Sequence, residues 1–183
     1  MIDCANAAQW ESWLARHYER SSGVWLRIAK KGSGKASVTI SEALDIALCY
    51  GWIDSQRKGY DQIYYLQRYS PRRPKSPWSK FNVERAEALM GVGRMHPAGL
   101  VEIEAAKMDG RWDAAYESQR NVSMPPDLVA ALAQNQRAKK AFALLNKSGQ
   151  YAVILPILKA TTANSRAARL QKTIIKLEAG DQE

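Results

Sequence analysis

The chain has 183 residues, of which 46% are hydrophobic, and 27 Lys and Arg stand against 18 Asp and Glu for a formal net charge of +9. That composition buries its own core. Two cysteines, Cys4 and Cys49, therefore need not form a disulfide framework, and no apolar run approaches the roughly 18–20 residues of a membrane span.

MIDCANAAQWESW has no basic region followed by an apolar one, so it does not read as a secretory signal. The expected location is the cytoplasm, and the oligomeric state stays open. The positive charge comes in blocks. Gly51 to Arg85 holds eight cations (Arg57, Lys58, Arg68, Arg72, Arg73, Lys75, Lys80 and Arg85) against three acids, and Gln136 to Glu183 holds nine against three. Such blocks attract polyanions or acidic surfaces through their summed field.

Along the chain, Trp10, Trp13, Leu14 and His17 have helical spacing and predict an amphipathic helix over Ala5 to Tyr18. Val24, Leu26 and Ile28 then alternate with Trp25, Arg27 and Ala29, the period of a half-buried strand. Lys31 to Lys35 is a loop; it imitates part of a phosphate-binding loop but lacks the first glycine and the final Ser or Thr. Thr39 with Glu42 predicts a capping box, and Gly51 a helix stop.

Trp52 to Lys58 and Asp61 to Ser70 read as a hairpin around Gly59-Tyr60 with a type II′ turn. In that register Ile53 opposes Leu66, while Trp52, Asp54, Gln56, Tyr65, Gln67 and Tyr69 share the other face. Three prolines make Ser70 to Pro77 an extended crossing. Asn82 is expected to cap a helix through about Met90, and Pro97 to open another. Glu117 to Pro126 reads as a linker, followed by helices near Leu128–Ala133, Gln136–Leu145, Gln150–Ala160 and Asn164–Ala179, with Pro156 kinking or restarting the third.

The expected fold is therefore α+β. A small antiparallel sheet of about three strands is covered by helices over residues 1–120, and an all-helical module follows over residues 121–183.

Leu48-Cys49-Tyr50-Gly51-Trp52-Ile53-Asp54-Ser55-Gln56-Arg57-Lys58 and Tyr65-Leu66-Gln67-Arg68-Tyr69-Ser70-Pro71-Arg72-Arg73-Pro74, with Trp78-Ser79-Lys80, Gly110-Arg111-Trp112 and the helical tail, resemble the bacterial YdeI/OmpD-associated family. The resemblance implies association with an outer-membrane porin and protection against bacteriocins or cationic antimicrobial peptides. Two departures stand out. The family has been described as periplasmic, whereas no export signal is read here. Its Ala-Lys and Glu-Thr-Arg elements appear as Ala160-Thr161 and Asn164-Ser165-Arg166, so Arg166 and Arg169 carry over.

The candidate ligand-binding set is Trp52, Asp54, Gln56, Arg57, Tyr65, Arg68, Tyr69, Arg72, Arg73, Lys75, Trp78 and Lys80. Trp52, Tyr65 and Tyr69 offer stacking faces, and the arginines fork onto phosphate or carboxylate oxygens. The competing reading makes the aromatics core and pairs Arg68 or Arg72 with Asp54 or Glu84. Cys49, at the end of an apolar helix, reads as a buried thiol. His17 and His96 lack metal-ligand spacing, so neither metal nor cofactor is expected.

Three function classes follow. One is a non-enzymatic binder of an anionic ligand or nucleic acid. The second is an enzyme on a small anionic metabolite, with Asp54 as catalytic base and Arg57 or Arg68 as clamp. The third is an adaptor that meets a protein partner through its basic C-terminal helices.

Overall fold

The computed structural model describes residues 1–119 and 121–180; Arg120, at the expected module boundary, and residues 181–183 lie outside it. The chain forms two compact units, Met1–Trp78 with Asn82–Ala114, and Ser79–Phe81 with Ala115–Glu183.

In the first unit the sheet has four strands, one more than expected: β1 (Ile2–Asp3), β2 (Val24–Ala29), β3 (Trp52–Gly59) and β4 (Tyr64–Pro71), in the order β1-β2-β4-β3. The two-residue β1 lies parallel to β2 and is too short to leave a periodic signal. The other pairings are antiparallel. The helices of this part of the chain are α1 (Ala7–His17), α2 (Ile40–Cys49), α3 (Lys80–Gly91) and α4 (Pro97–Met108).

Helix α2 starts where its sequence says. The Thr39 hydroxyl accepts from the Glu42 backbone N–H, and the Glu42 carboxylate accepts from the Thr39 N–H at 2.9 Å. The Thr39 N–H, and with it the Thr39 hydroxyl donating to the same carboxylate at 2.7 Å, holds the Glu42 carboxyl below the usual range. Asn82 does not cap α3; the helix begins two residues earlier and Asn82 is buried within it.

Trp10 and Leu14 of α1 and Ala43, Ile46 and Ala47 of α2 pack with Val24, Leu26, Ile28, Trp52 and Tyr69 into one core. The Trp10 indole N–H donates to the Ala43 carbonyl at 3.0 Å, so the ring is buried without an orphan donor. Helix α2 ends at Cys49, and Gly51, just past the Tyr50 cap, has a φ of +73° that suits a residue without Cβ.

The second unit contains α5 (Pro126–Gln134), α6 (Gln136–Leu144), α7 (Lys147–Leu158) and α8 (Ala163–Ala179). Asn135, Asn146 and Thr162 cap the last three through their side chains. Leu128, Leu132, Phe142, Ile154, Ile157 and Leu177 form its core. Helix α7 runs through Pro156 and ends at Leu158, so the proline lies in its last turn rather than restarting it. The architecture is α+β with a helical C-terminal region.

Candidate ligand surface on the sheet

The hairpin register differs from the sequence expectation. Asp54 opposes Tyr69 and Ile53 opposes Ser70, and a bulge between Asp54 and Arg57 shifts the remainder so that Arg57 opposes Gln67. The turn is not the two-residue one. Residues 60–63 form it, and the Asp61 carboxylate accepts from the N–H groups of Ile63 and Tyr64 at 2.7 Å each. Trp52, Asp54, Tyr65, Gln67 and Tyr69 do share a face, but the extra residue of the bulge puts Arg57, not Gln56, in register with them.

That shared face is the one α1 and α2 cover, which changes the role of its aromatics. Trp52 and Tyr69 are 1% and 0% exposed. The Trp52 indole donates to the Tyr18 carbonyl at 3.2 Å, and the Tyr69 ring lies 5.4 Å from Trp10. Burial, and then the Asp54 charge, push the Tyr69 hydroxyl pKa up. Neither ring can stack on a ligand. Asp54 and Tyr65 are half-buried, and burial raises the pKa of each. Arg57 is exposed, with Nε donating to Gln67 Oε1 at 3.0 Å and its guanidinium 4.8 Å from the Tyr65 ring centre. Gln56 is exposed, and its carbonyl accepts from the Gln67 amide at 3.2 Å.

The proline segment is a latch. Arg72 is buried, donates from Nη2 to the Pro77 carbonyl at 2.9 Å, and lies 3.7 Å from the Trp78 ring centre. Arg111 is also buried; it donates to the Ser76 carbonyl at 2.8 Å and to the Asp109 carboxylate, whose pKa it lowers. Trp78 is buried 4.8 Å from Trp112. The expected extended crossing contains a turn, with Ser76 N–H donating to the Arg73 carbonyl at 3.0 Å and Lys75 at φ +60°. Arg73 and Lys75 are exposed. Lys80, in the second unit, is ion-paired with Glu117. Arg72 and Trp78 thus serve the fold, leaving Arg73 and Lys75 as the open cations of this stretch.

The opposite face of the sheet holds the arrangement expected of the first. Trp25 opposes Arg68 across β2 and β4, Arg27 opposes Leu66, and Lys58 on β3 opposes Leu66 from the other side. The Lys58 ammonium sits 4.4 Å over the Trp25 ring and the Arg68 guanidinium 6.0 Å from it. Arg27 lies 4.5 Å from the Tyr64 ring and 5.8 Å from Tyr60, and its Nε meets the Asp3 carboxylate. Leu66 is buried beneath this layer, whereas Trp25, Arg27, Tyr64 and Arg68 are half-exposed and Lys58 and Tyr60 exposed. Cation–ring contacts at exposed sites contribute about 0.5–1 kcal/mol each, so an arriving anion can redirect the cations without dismantling the sheet.

Of the candidate ligand-binding set, Arg68 belongs to this face, while Trp25, Arg27, Lys58, Tyr60 and Tyr64 lay outside that set. The signal was present: a tryptophan and an arginine on the polar phase of an alternating strand.

In the second unit, the Arg166 guanidinium donates to both oxygens of Asp127, at 2.7 and 2.9 Å. The same guanidinium donates to the Ile157 carbonyl and Arg169 donates to the Pro156 carbonyl, both at the end of α7. The two arginines carried over from the resemblance are thus engaged within the fold, where cations offset the negative end of a helix. Cys49 is buried, and burial pushes its thiol up to about 11. Among the described residues no group of three or more His, Cys, Asp and Glu could hold a metal ion, and no helix is long and apolar enough to cross a membrane.

Residues 2–102, which hold the entire sheet, match the family model described as domain of unknown function DUF8412. The chain belongs to this family. Residues 121–180 match the model described as bacteriocin-protection, YdeI or OmpD-associated, which agrees with the resemblance read from the sequence and locates the match in the helical C-terminal part. No curated protein and no solved structure matches the chain.

Proposed function

We propose that the protein is a cytoplasmic binder of an anionic ligand, that the ligand lies on the sheet face bearing Trp25, Arg27, Lys58, Tyr64 and Arg68, and that binding serves protection against bacteriocins or envelope stress. One observation carries the reading. Three cations and three aromatic rings share a face whose side chains keep contact with solvent. Arg27 is partly neutralised by Asp3, so Lys58 and Arg68 are the principal anion contacts. The family match over residues 121–180 supports the protective role.

A salt titration of binding to short polyphosphate tests the first part. Binding is expected to be tightest at low salt and to weaken as salt rises, because each neutralised phosphate releases counterions. The pair Lys58→Glu with Arg68→Glu is expected to abolish it, and no binding at low salt overturns the reading. For the role, cells deprived of the protein are expected to lose resistance to a bacteriocin and to regain it from the wild-type chain but not from the charge-reversed one.

A further inference from the structure

Charge alone does not account for the composition of this face. A surface evolved only to hold phosphate or a carboxylate needs lysines and arginines with water around them, yet here the two principal cations converge on one indole and Arg27 lies between two phenol rings. Sheet geometry sets the spacing within the layer. Trp25 and Arg68 are direct cross-strand partners, about 4.5–5.5 Å apart at Cβ. Arg27 follows Trp25 two residues on, about 6.8 Å along the strand. The face is therefore a platform on which rings and cations alternate at the spacing of neighbouring strands.

Resting on the anion-binding reading above, we propose that the ligand is single-stranded nucleic acid, with unpaired bases stacking on Trp25 and Tyr64 and phosphates meeting Lys58 and Arg68. Complementarity argues for this occupant. A single strand offers a negative backbone and open π-faces together, and both have counterparts on the platform. A duplex hides its base faces in the stack and can use only the cations. Lys58 covers Trp25 through an exposed ammonium on a flexible stem. A stacking base displaces it, since base–aromatic stacking is the stronger contact, and the released ammonium is then free to meet the adjoining phosphate. Arg27 stays with Asp3 and holds the Tyr64 ring in place.

The probe is a 12-nucleotide single strand, compared with an abasic oligomer of the same length, the same sequence as a duplex, and polyphosphate, by fluorescence anisotropy or competition at low salt. The single strand is expected to bind at least about tenfold more tightly than the abasic oligomer, tenfold being about 1.4 kcal/mol. Trp25→Leu is expected to remove most of that preference, weakening single-strand binding by a larger factor than polyphosphate binding; Trp25→Phe, which keeps a ring, should restore part of it. Lys58→Ala with Arg68→Ala should weaken both probes. Equal affinity for the single strand and the abasic oligomer overturns this inference while leaving the anion-binding reading standing. Failure of polyphosphate and single strand alike removes both. The abasic comparison uses the wild-type chain, so it decides the matter even if Trp25→Leu does not fold.

Discussion

Arg72 lies flat against Trp78, with its guanidinium carbon 3.7 Å from the ring centre and Nη2 donating 2.9 Å to the Pro77 carbonyl. The contact closes the loop after β4, where Pro74 and Pro77 cannot donate to a ladder of backbone hydrogen bonds. A desolvated cation–ring contact contributes about 2 kcal/mol, and a hydrogen bond to a charged donor about 1.5–3 kcal/mol. Arg72→Ala is therefore expected to destabilise the protein by about 2–4 kcal/mol in chemical denaturation. Arg72→Lys should recover little, since an ammonium keeps the charge but not the planar stacking surface. Wild-type stability of Arg72→Lys would contradict this account of the latch.

The Asp127–Arg166 pair makes stability in the second unit depend on pH. The two bonds from Arg166, acting before any other influence, hold the Asp127 carboxyl below its ordinary range. A depressed folded-state pKa contributes stability above the unfolded value of about 3.9, and that contribution is lost as pH falls through the folded value. Both side chains are about one-third exposed, so solvent screening keeps the contribution near 1 kcal/mol. Asp127→Asn is expected to lower stability by about that amount at pH 7. The difference from wild type should shrink once pH drops below about 4.

Asp54 has the opposite sign. Burial dominates and raises its pKa, although Arg57 and Arg72 pull the other way. A raised folded-state value means that the carboxyl stabilises the fold below the unfolded pKa and loses that contribution as pH rises through the folded one. Asp54→Asn should therefore raise the denaturation midpoint at pH 7 and leave it nearly unchanged at pH 3. A variant less stable than wild type at pH 7 would show that the carboxylate is needed by a partner.

Gly99 is a packing requirement. A Cβ built there would sit 2.2 Å from the Cys49 carbonyl oxygen, where the start of α4 meets the end of α2. The same carbonyl accepts from the His96 N–H at 3.1 Å, so it cannot retreat without breaking that bond. Gly99→Ala is expected to cost about 1–3 kcal/mol or more, as overpacking does. At Gly91, where a Cβ meets nothing within 4 Å, alanine should be neutral or mildly stabilising. Thermal melts of the two variants provide the comparison.

What the sequence by itself determined is local. The capping box at Thr39 and Glu42, the stop at Gly51, and the alternation in β2 are readable because each depends on residues within a few positions of one another. The grouping of Trp52, Asp54, Tyr65, Gln67 and Tyr69 on one face was legible for the same reason, since side chains alternate along any strand.

Only the tertiary structure decided which side of that sheet the helices cover. Both faces carry aromatics and cations, so alternation has no preferred sign until Trp10, Leu14, Ala43 and Ile46 seal one side. Sealing it turned Trp52 and Tyr69 into core and left Trp25 and Tyr64 in contact with solvent. The bulge before Arg57 and the stacking of Arg72 on Trp78 likewise depend on strands and turns meeting in space. Burial is a property of the assembled layers, and residue spacing alone cannot specify it.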